Sequence, residues 1–293
     1  MMEEFLKNEL SFEYVKPTSY SGGGCINNGR SYDTDKGRFY LKYNKKKGSH
    51  TMFKGEFISL EEIEKTNTIR VPHPVSVFSQ SPSGSAILIE HLDMKSLRRK
   101  EAELGTKLAQ MHKFNITNGE VKEFGFKDTT CCGFLPLDNT WKSDWIQFYA
   151  ENRIKPQVDM LMDKRGTNNV GDLRNLYELL IRKMPIFFKD IELKPSLLHG
   201  DLWSGNVGET DTEAIIYDPG SFYGHSEFDF GIATMFGGFS RKFYDAYFAV
   251  MPKEKGFDQR NSLYELFHNL NHWNHFGSGY QSGSISIMEQ LTR

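Results

Sequence analysis

Cysteine is scarce in this chain: three thiols among 293 residues, at positions 25, 131 and 132. An odd count with an adjacent pair fits neither a disulfide framework nor the usual zinc spacing, and points to a reducing, cytoplasmic setting. Net charge is almost absent as well. Lysine and arginine number 36 against 38 acidic residues, a formal charge of −2, so no general attraction draws the chain to phosphate polymers, and nucleic acid is a poor partner. No segment approaches the roughly 18 consecutive apolar residues of a membrane span. The opening MMEEFLKNEL carries acid where a signal peptide needs a basic stretch and an unbroken apolar run. Internal repeats and low-complexity tracts are missing too. What is left is a globular chain long enough for a substantial core in two lobes.

The first 90 residues are strand-rich. TSYSGGGCINNGRSYDTDKGRFYLKYN sets short apolar or β-branched runs around Gly and Asn/Asp turn signals, the pattern of hairpins. MFKGEFISLEEIEKT follows with apolar Phe53, Phe57, Leu60 and Ile63 at helical spacing. VPHPVSVF and SAILIEHLDM read as strands, the second ending in a polar break at Glu90 to Asp93 that marks the lobe boundary. Residues 1–89 are thus expected to form one lobe, 90–92 a hinge and 93–293 a second lobe. From about Leu97 the pattern turns helical, in LRRKEAELGTKLAQMHKF, SDWIQFYAENRIKPQVDMLM and VGDLRNLYELLIRKMPIFF. A Phe/Gly-rich loop holding Cys131 and Cys132 spans Gly119 to Asn139.

Chemistry concentrates in LLHGDLWSGNVGETDTEAIIYDPG. If its two flanking strands pair, Asp201, Asn206 and Asp218 come together. Phosphoryl transfer uses such a group: a carboxylate to orient the attacking hydroxyl, with an Asn and a second carboxylate holding Mg²⁺ against the phosphates of ATP. The D-L-x-x-x-N spacing matches a kinase catalytic loop with His199-Gly200 in place of His-Arg, and Asp218-Pro219-Gly220 stands where a kinase has D-F-G. HGD alone is equally an ordinary turn; its company decides. Lys42 ends the strand RFYLK and Glu56 lies on the next helix, placed to pair with it. SGGGCINNGR supplies a glycine loop before Lys42, in which Gly22, Gly23 and Gly24 let backbone approach a nucleotide, although Asn27 replaces the third glycine of G-x-G-x-x-G. Glu90, His91 and Leu92 are the expected hinge, bonding the adenine edge through backbone groups.

The segments SGGGCINNGRSYDTD, FKGEFISLEEI, LIEHLDM, CCGFLPLDN, LLHGDLWSGNV, DPGSFYGHSEFDFGIATMFGGF and LFHNLNHWNHFGSGY together resemble the fructosamine-3-kinase/ketosamine-3-kinase family, the animal type in particular. The resemblance implies a bilobal protein-kinase-like α+β fold. It also implies ATP-dependent phosphorylation of the 3-hydroxyl of a ketosamine, a fructosamine or ribulosamine adduct on a protein or free amine, after which the unstable adduct falls apart and the amine is deglycated. On that resemblance Lys42 is the ATP-binding lysine, Glu56 its partner, Asp201 the proton acceptor, and Asn206 and Asp218 the Mg²⁺ ligands. Two departures stand out: Gly220 takes a place that is often Ala, and the loop from Asn115 to Phe124 looks short. The absence of A-P-E after Asp218 argues against a kinase regulated through an activation segment. The rival readings are a choline or aminoglycoside type of kinase, and a catalytically inactive kinase fold used as a binding module.

Trp203 is placed to line the acceptor side, where an aromatic face packs on a sugar; packing of the catalytic loop is the alternative. His268, His272 and His275 lie on LYELFHNLNHWNH, but no Glu follows His268, so the H-E-x-x-H reading fails. Core or hydrogen-bonding roles fit these histidines better, with His272 and Trp273 next as acceptor-site walls and a metal site last. Asp229 is positioned to accept backbone N–H bonds from the catalytic loop, or to be an ordinary charge at a helix start. Cys25, inside the glycine loop, is either an inert thiol or a redox point whose oxidation blocks the nucleotide or ties two chains into a dimer. The chain is otherwise expected to be a monomer or weak dimer.

Overall fold

The computed structural model describes residues 2–23, 27–79, 84–165 and 172–293; Gly24 and Cys25 lie outside the described residues. Helix α1 (Met2–Leu10) opens the chain, where the sequence predicts only hairpins. Its Phe5, Leu6 and Leu10 fill too short a window for a helical period to stand out. Five antiparallel strands follow: β1 (Val15–Gly23), β2 (Asn28–Thr34), β3 (Gly37–Asn44), β4 (Pro74–Ser79) and β5 (Ser85–Glu90), in the order β1-β2-β3-β5-β4. Alternation along β5 sorts its side chains between the two faces. Ala86 and Leu88 join Leu6, Phe12, Tyr32 and Leu41 on one face. Ile87 and Ile89 join Met52, Phe53, Leu60 and Ile63 of α2 (Ser49–Lys65) on the other. Lys42 sits opposite Ile87 in this register, so its side chain points to the α2 face of a central strand.

Past Glu90 the chain crosses to β6 (Lys95–Ser96), which pairs with β10 (Val207–Glu209), itself paired with β11 (Ala214–Ile216). Arg70 ties the two sides of this crossing. Its guanidinium bonds Glu90 at 2.5 Å and lies 3.6 Å from Glu213, and its carbonyl accepts the Ile216 N–H at 3.1 Å. The rest is mainly helical: α3 (Glu101–Asn118), α4 (Trp145–Phe148) running through a π-helical turn into α5 (Lys155–Arg165), α6 (Leu173–Lys183), α7 (Arg241–Val250), α8 (Phe257–Phe276) and α9 (Gln281–Thr292). The stretch read as a Phe/Gly-rich loop holds a hairpin, β7 (Thr130–Cys132) with β8 (Leu135–Leu137).

The pairing expected around HGD is different in the fold. β9 (Ser196–Leu198), the lead-in to HGD, pairs with β12 (Phe222–Gly224) and not with AIIYD, whose partner is β10. Two nested hairpins therefore present the loops after β9 and β11 side by side.

Glu209 finishes β10 and caps the start of α3, its Oε2 accepting the N–H groups of Arg98, Arg99 and Lys100 at 2.9, 2.8 and 3.0 Å. These backbone donors hold its carboxyl at about 2, below the ordinary 4.5. A carboxyl lowered on folding contributes stability that is complete above its unfolded pKa and is lost as pH falls through the folded one. Between about pH 5 and pH 2, Glu209→Gln is therefore expected to flatten the fall of the melting temperature with acid. A variant with the wild-type slope would contradict this role.

Candidate active site

The catalytic-loop backbone is fixed from beneath by Asp229. Its two carboxylate oxygens accept the N–H groups of His199 and Gly200, both at 2.8 Å, and Oδ2 is also 3.0 Å from His112 Nε2. His112 reaches Tyr247 OH at 2.7 Å through its other nitrogen. Burial alone would raise the Asp229 carboxyl; His112, His199 and the Gly200 amide outweigh it and hold it below the usual range. His199 Nε2 donates to the Tyr217 carbonyl at 2.9 Å, so Nδ1 is the bare nitrogen that accepts the Asp201 N–H at 3.2 Å. Burial lowers the His199 pKa and keeps that ring neutral. Gly200 has φ +86°, and a Cβ there would lie 2.2 Å from the Gly220 carbonyl. Only glycine permits this approach, which brings HGD against DPG.

On this frame Asn206 donates to the Asp201 carbonyl at 2.8 Å and to its Oδ2 at 3.1 Å. That spends the Asn206 amide N–H on Asp201 and leaves its Oδ1 without a hydrogen bond among the described residues. Burial, reinforced by the charge of Asp218 and opposed by Asn206, pushes the Asp201 carboxyl up to about 7. Asp218, at φ +58°, contacts Lys42, whose Nζ also bonds Glu56 Oε1 at 2.5 Å. Lys42 and Glu56 are both buried. Burial alone would lower the lysine pKa, but Asp218 and Glu56 raise it, so Lys42 stays charged.

Two cavities meet at Asp218. One, of about 280 Å³, lies between the sheet and the crossing segment and is walled by Tyr20, Tyr40, Lys42, Ile89, His91 and Tyr217. Of the crossing amides, Glu90 N–H is spent on the His73 carbonyl at 2.8 Å and His91 N–H on that of Arg38 at 3.1 Å. Leu92 N–H has no hydrogen-bond partner among the described residues. The other cavity, of about 410 Å³, holds Asp201, Asn206 and Asp218 on one side and Trp203, Phe236, His272, Phe276 and Tyr280 on the other.

The model of the fructosamine kinase family matches residues 3–293. The chain belongs to that family. It is 48% identical to a ketosamine-3-kinase of Mus musculus over the whole of both chains. It is 44% identical to a chloroplastic protein-ribulosamine 3-kinase of Arabidopsis thaliana, over all of this chain and 87% of that one. A crystal structure from Haemophilus somnus 129PT, of a protein provisionally assigned as a fructosamine-3-kinase, superposes with a TM-score of 0.83 at 23% identity, covering 100% of this chain and 97% of the other. An aminoglycoside phosphotransferase mutant in a ternary complex with ADP and hygromycin B gives a TM-score of 0.64 at 12% identity, over 99% and 97% of the two chains. The latter two likenesses show the fold, which is the bilobal protein-kinase-like α+β arrangement.

Within this fructosamine kinase family member, Gly22 and Gly23 pair with Gly29 and Asn28 in the first hairpin; Gly24 and Cys25, with the redox expectation attached to that thiol, fall outside the described residues. Trp203 packs on Phe236 with ring centroids 4.9 Å apart. His272 donates through Nδ1 to the His268 carbonyl at 2.8 Å, and its ring lies 5.5, 5.4 and 5.1 Å from Phe236, Phe276 and Tyr280. Trp273 does not reach this cavity. One residue further along α8 it has turned into the core and is fully buried, which removes it from the acceptor walls. His275 bonds the Asn271 carbonyl at 2.9 Å and accepts the Phe134 N–H at 3.0 Å, pinning the β7–β8 turn to α8. Sequence reasoning missed Tyr20, Tyr40 and Tyr217 in the first cavity and Phe236, Phe276 and Tyr280 in the second. Tyr20, two residues before the glycines, and Tyr40, two residues before Lys42, could have been found by position; the others carry no local signature.

Proposed function

We propose that this chain transfers the γ-phosphoryl group of ATP to the 3-hydroxyl of a ketosamine. The acceptors are fructosamine or ribulosamine adducts on glycated proteins or free amines, and the outcome is deglycation. The observation that carries the reading is the meeting of the two cavities at Asp218, with Asp201 and Asn206 beside it in the second, in a chain so similar to a ketosamine-3-kinase.

Residues 1–89 are the nucleotide-binding lobe, 90–92 the hinge and 93–293 the catalytic and acceptor lobe. Nucleotide enters the cavity below the glycine hairpin, with Leu92 N–H free for the base edge and Gly22 and Gly23 over the phosphates. Lys42, oriented by Glu56, neutralises phosphate charge. The Asn206 amide oxygen and the Asp218 carboxylate are hard oxygen donors of the kind Mg²⁺ takes, so these two residues fit that ion. Held there, the ion would supply neutralisation of the phosphate charge. Asp201 accepts a hydrogen bond from the attacking hydroxyl, orienting it and taking its proton as the new bond forms. Because the transition state of phosphoryl transfer is loose, placement and charge neutralisation supply most of the rate. Trp203 and His272 wall the acceptor, offering an aromatic face to the sugar.

A monomer or weak dimer working in a reducing, cytoplasmic compartment fits the few thiols; no described helix is long and apolar enough to cross a membrane. ADP release in the presence of Mg²⁺ and ATP, measured on fructosamine, ribulosamine, choline and aminoglycoside acceptors, tests the function. Turnover confined to the ketosamines is expected. Turnover on choline or the aminoglycoside alone would replace the acceptor class, and silence on all four would favour a binding module.

A further inference from the structure

We propose that Cys132, Asp201 and His268 form a site for one zinc ion, and that zinc shuts off catalysis there by taking the Asp201 carboxylate as a ligand. The binding site stands on geometry alone; the inhibition rests on the assignment of Asp201 as the catalytic carboxylate.

One ligand atom from each of the three side chains lies within 4.8 Å of the other two. His268 is the unexplained member. It is fully buried in the middle of α8, and neither Nδ1 nor Nε2 has a hydrogen-bond partner among the described residues. Buried polar atoms in folded proteins are nearly always bonded, so an imidazole with two idle nitrogens beside a thiol and a carboxylate is a ligand set awaiting an ion. The ring is held in place by Phe228 and Phe267, with centroids at 5.3 and 4.9 Å. Cys132 is held by the β7–β8 pairing, opposite Leu135.

The donor set names the metal. Sulfur and imidazole nitrogen select zinc, whereas magnesium takes oxygen. The site is therefore chemically distinct from the Asn206 and Asp218 pair, although Asp201 lies between them. Cys132 and Asp201 both line the larger cavity, which gives an ion its way in. Zinc bonds of about 2.0–2.3 Å put tetrahedral donors about 3.5 Å apart, so the side chains must close by about 1 Å. Three protein ligands leave a fourth position for water. Binding releases the Cys132 thiol proton to solvent, and a carboxylate bound to zinc no longer accepts the hydroxyl proton of the acceptor.

The test uses a Cys25→Ser, Cys131→Ser chain, whose one remaining thiol is Cys132, stripped with chelator and titrated with Co²⁺ as a spectroscopic stand-in. Expected is a thiolate-to-cobalt charge-transfer band saturating at one ion per chain, displaced by Zn²⁺ and lost on adding Cys132→Ser or His268→Gln. In the Mg²⁺·ATP assay, His268→Gln should raise the half-inhibitory Zn²⁺ concentration by about tenfold or more relative to its own zinc-free rate. No charge-transfer band in the single-thiol chain would overturn the site. A band that survives His268→Gln, or zinc inhibition of equal potency in that variant, would overturn it too, the latter assigning inhibition to displacement of Mg²⁺. Melting curves report whether His268→Gln folds; if it does not, the band in the single-thiol chain and its loss with Cys132→Ser decide the question. Ketosamine turnover in zinc-free buffer stands or falls independently.

Discussion

Asp201→Asn is expected to bind Mg²⁺·ATP as the wild type does and to lose about 10²–10⁴-fold in turnover, the range that a positioned acid or base contributes. The substitution keeps the shape of the side chain and the Asn206 contact to the Asp201 carbonyl. What it removes is the proposed proton acceptor, whose carboxyl, raised to about 7 by burial and Asp218, is basic enough to share a proton with an alcohol as it attacks. Nucleotide affinity measured by calorimetry and turnover measured by ADP release separate binding from chemistry. Near-wild-type turnover would sink Asp201 as the base.

Asp229→Ala is expected to be the most damaging single change to stability. It strips the acceptor from the His199 and Gly200 amides and leaves His112 facing an empty, dry position. Each buried donor left without its acceptor costs about 1–3 kcal/mol, and the loop that carries Asp201 loses its floor at the same time. Urea unfolding should show a lower midpoint together with a fall in turnover measured well below the melting temperature. Asp229→Asn retains one oxygen acceptor and should fall between the two. An alanine variant with unchanged midpoint and turnover would show that the loop holds its shape without Asp229.

The parts of the site that could be read without coordinates were those whose spacing is dictated by chemistry. Asp201 and Asn206 lie on one short loop, Asp218 follows a strand, and Lys42 and Glu56 sit on a strand and the helix after it, so local order was enough to group them. Asp229 was legible for the same reason, as a carboxylate shortly after the second loop. Long-range choices were not. The pairing of β9 with β12 instead of β11 depends on which strands share a sheet, and the three-residue strands here carry too little pattern to say. The aromatic walls come from Trp203, Phe236 and Phe276, brought together because Phe236 packs on Trp203 on one side and on His272 of α8 on the other. Trp273 shows the same limit: His272 and Trp273 are neighbours in sequence, yet the helical turn between them sends one to the cavity and the other to the core. Helix α1 escapes the sequence reading because nine residues with four apolar positions are too short for a helical period to stand out.

The central claim is the transfer of phosphate to one particular hydroxyl of a ketosamine. Phosphorus–proton correlation NMR on the product formed from a ribulosamine or fructosamine, Mg²⁺ and ATP tests it most directly. The phosphorus signal is expected to couple to the proton on carbon 3 of the sugar and then to decay as the adduct breaks down and frees the amine. Coupling to any other sugar carbon, or no phosphorylated ketosamine at all with the folded protein, would contradict the account.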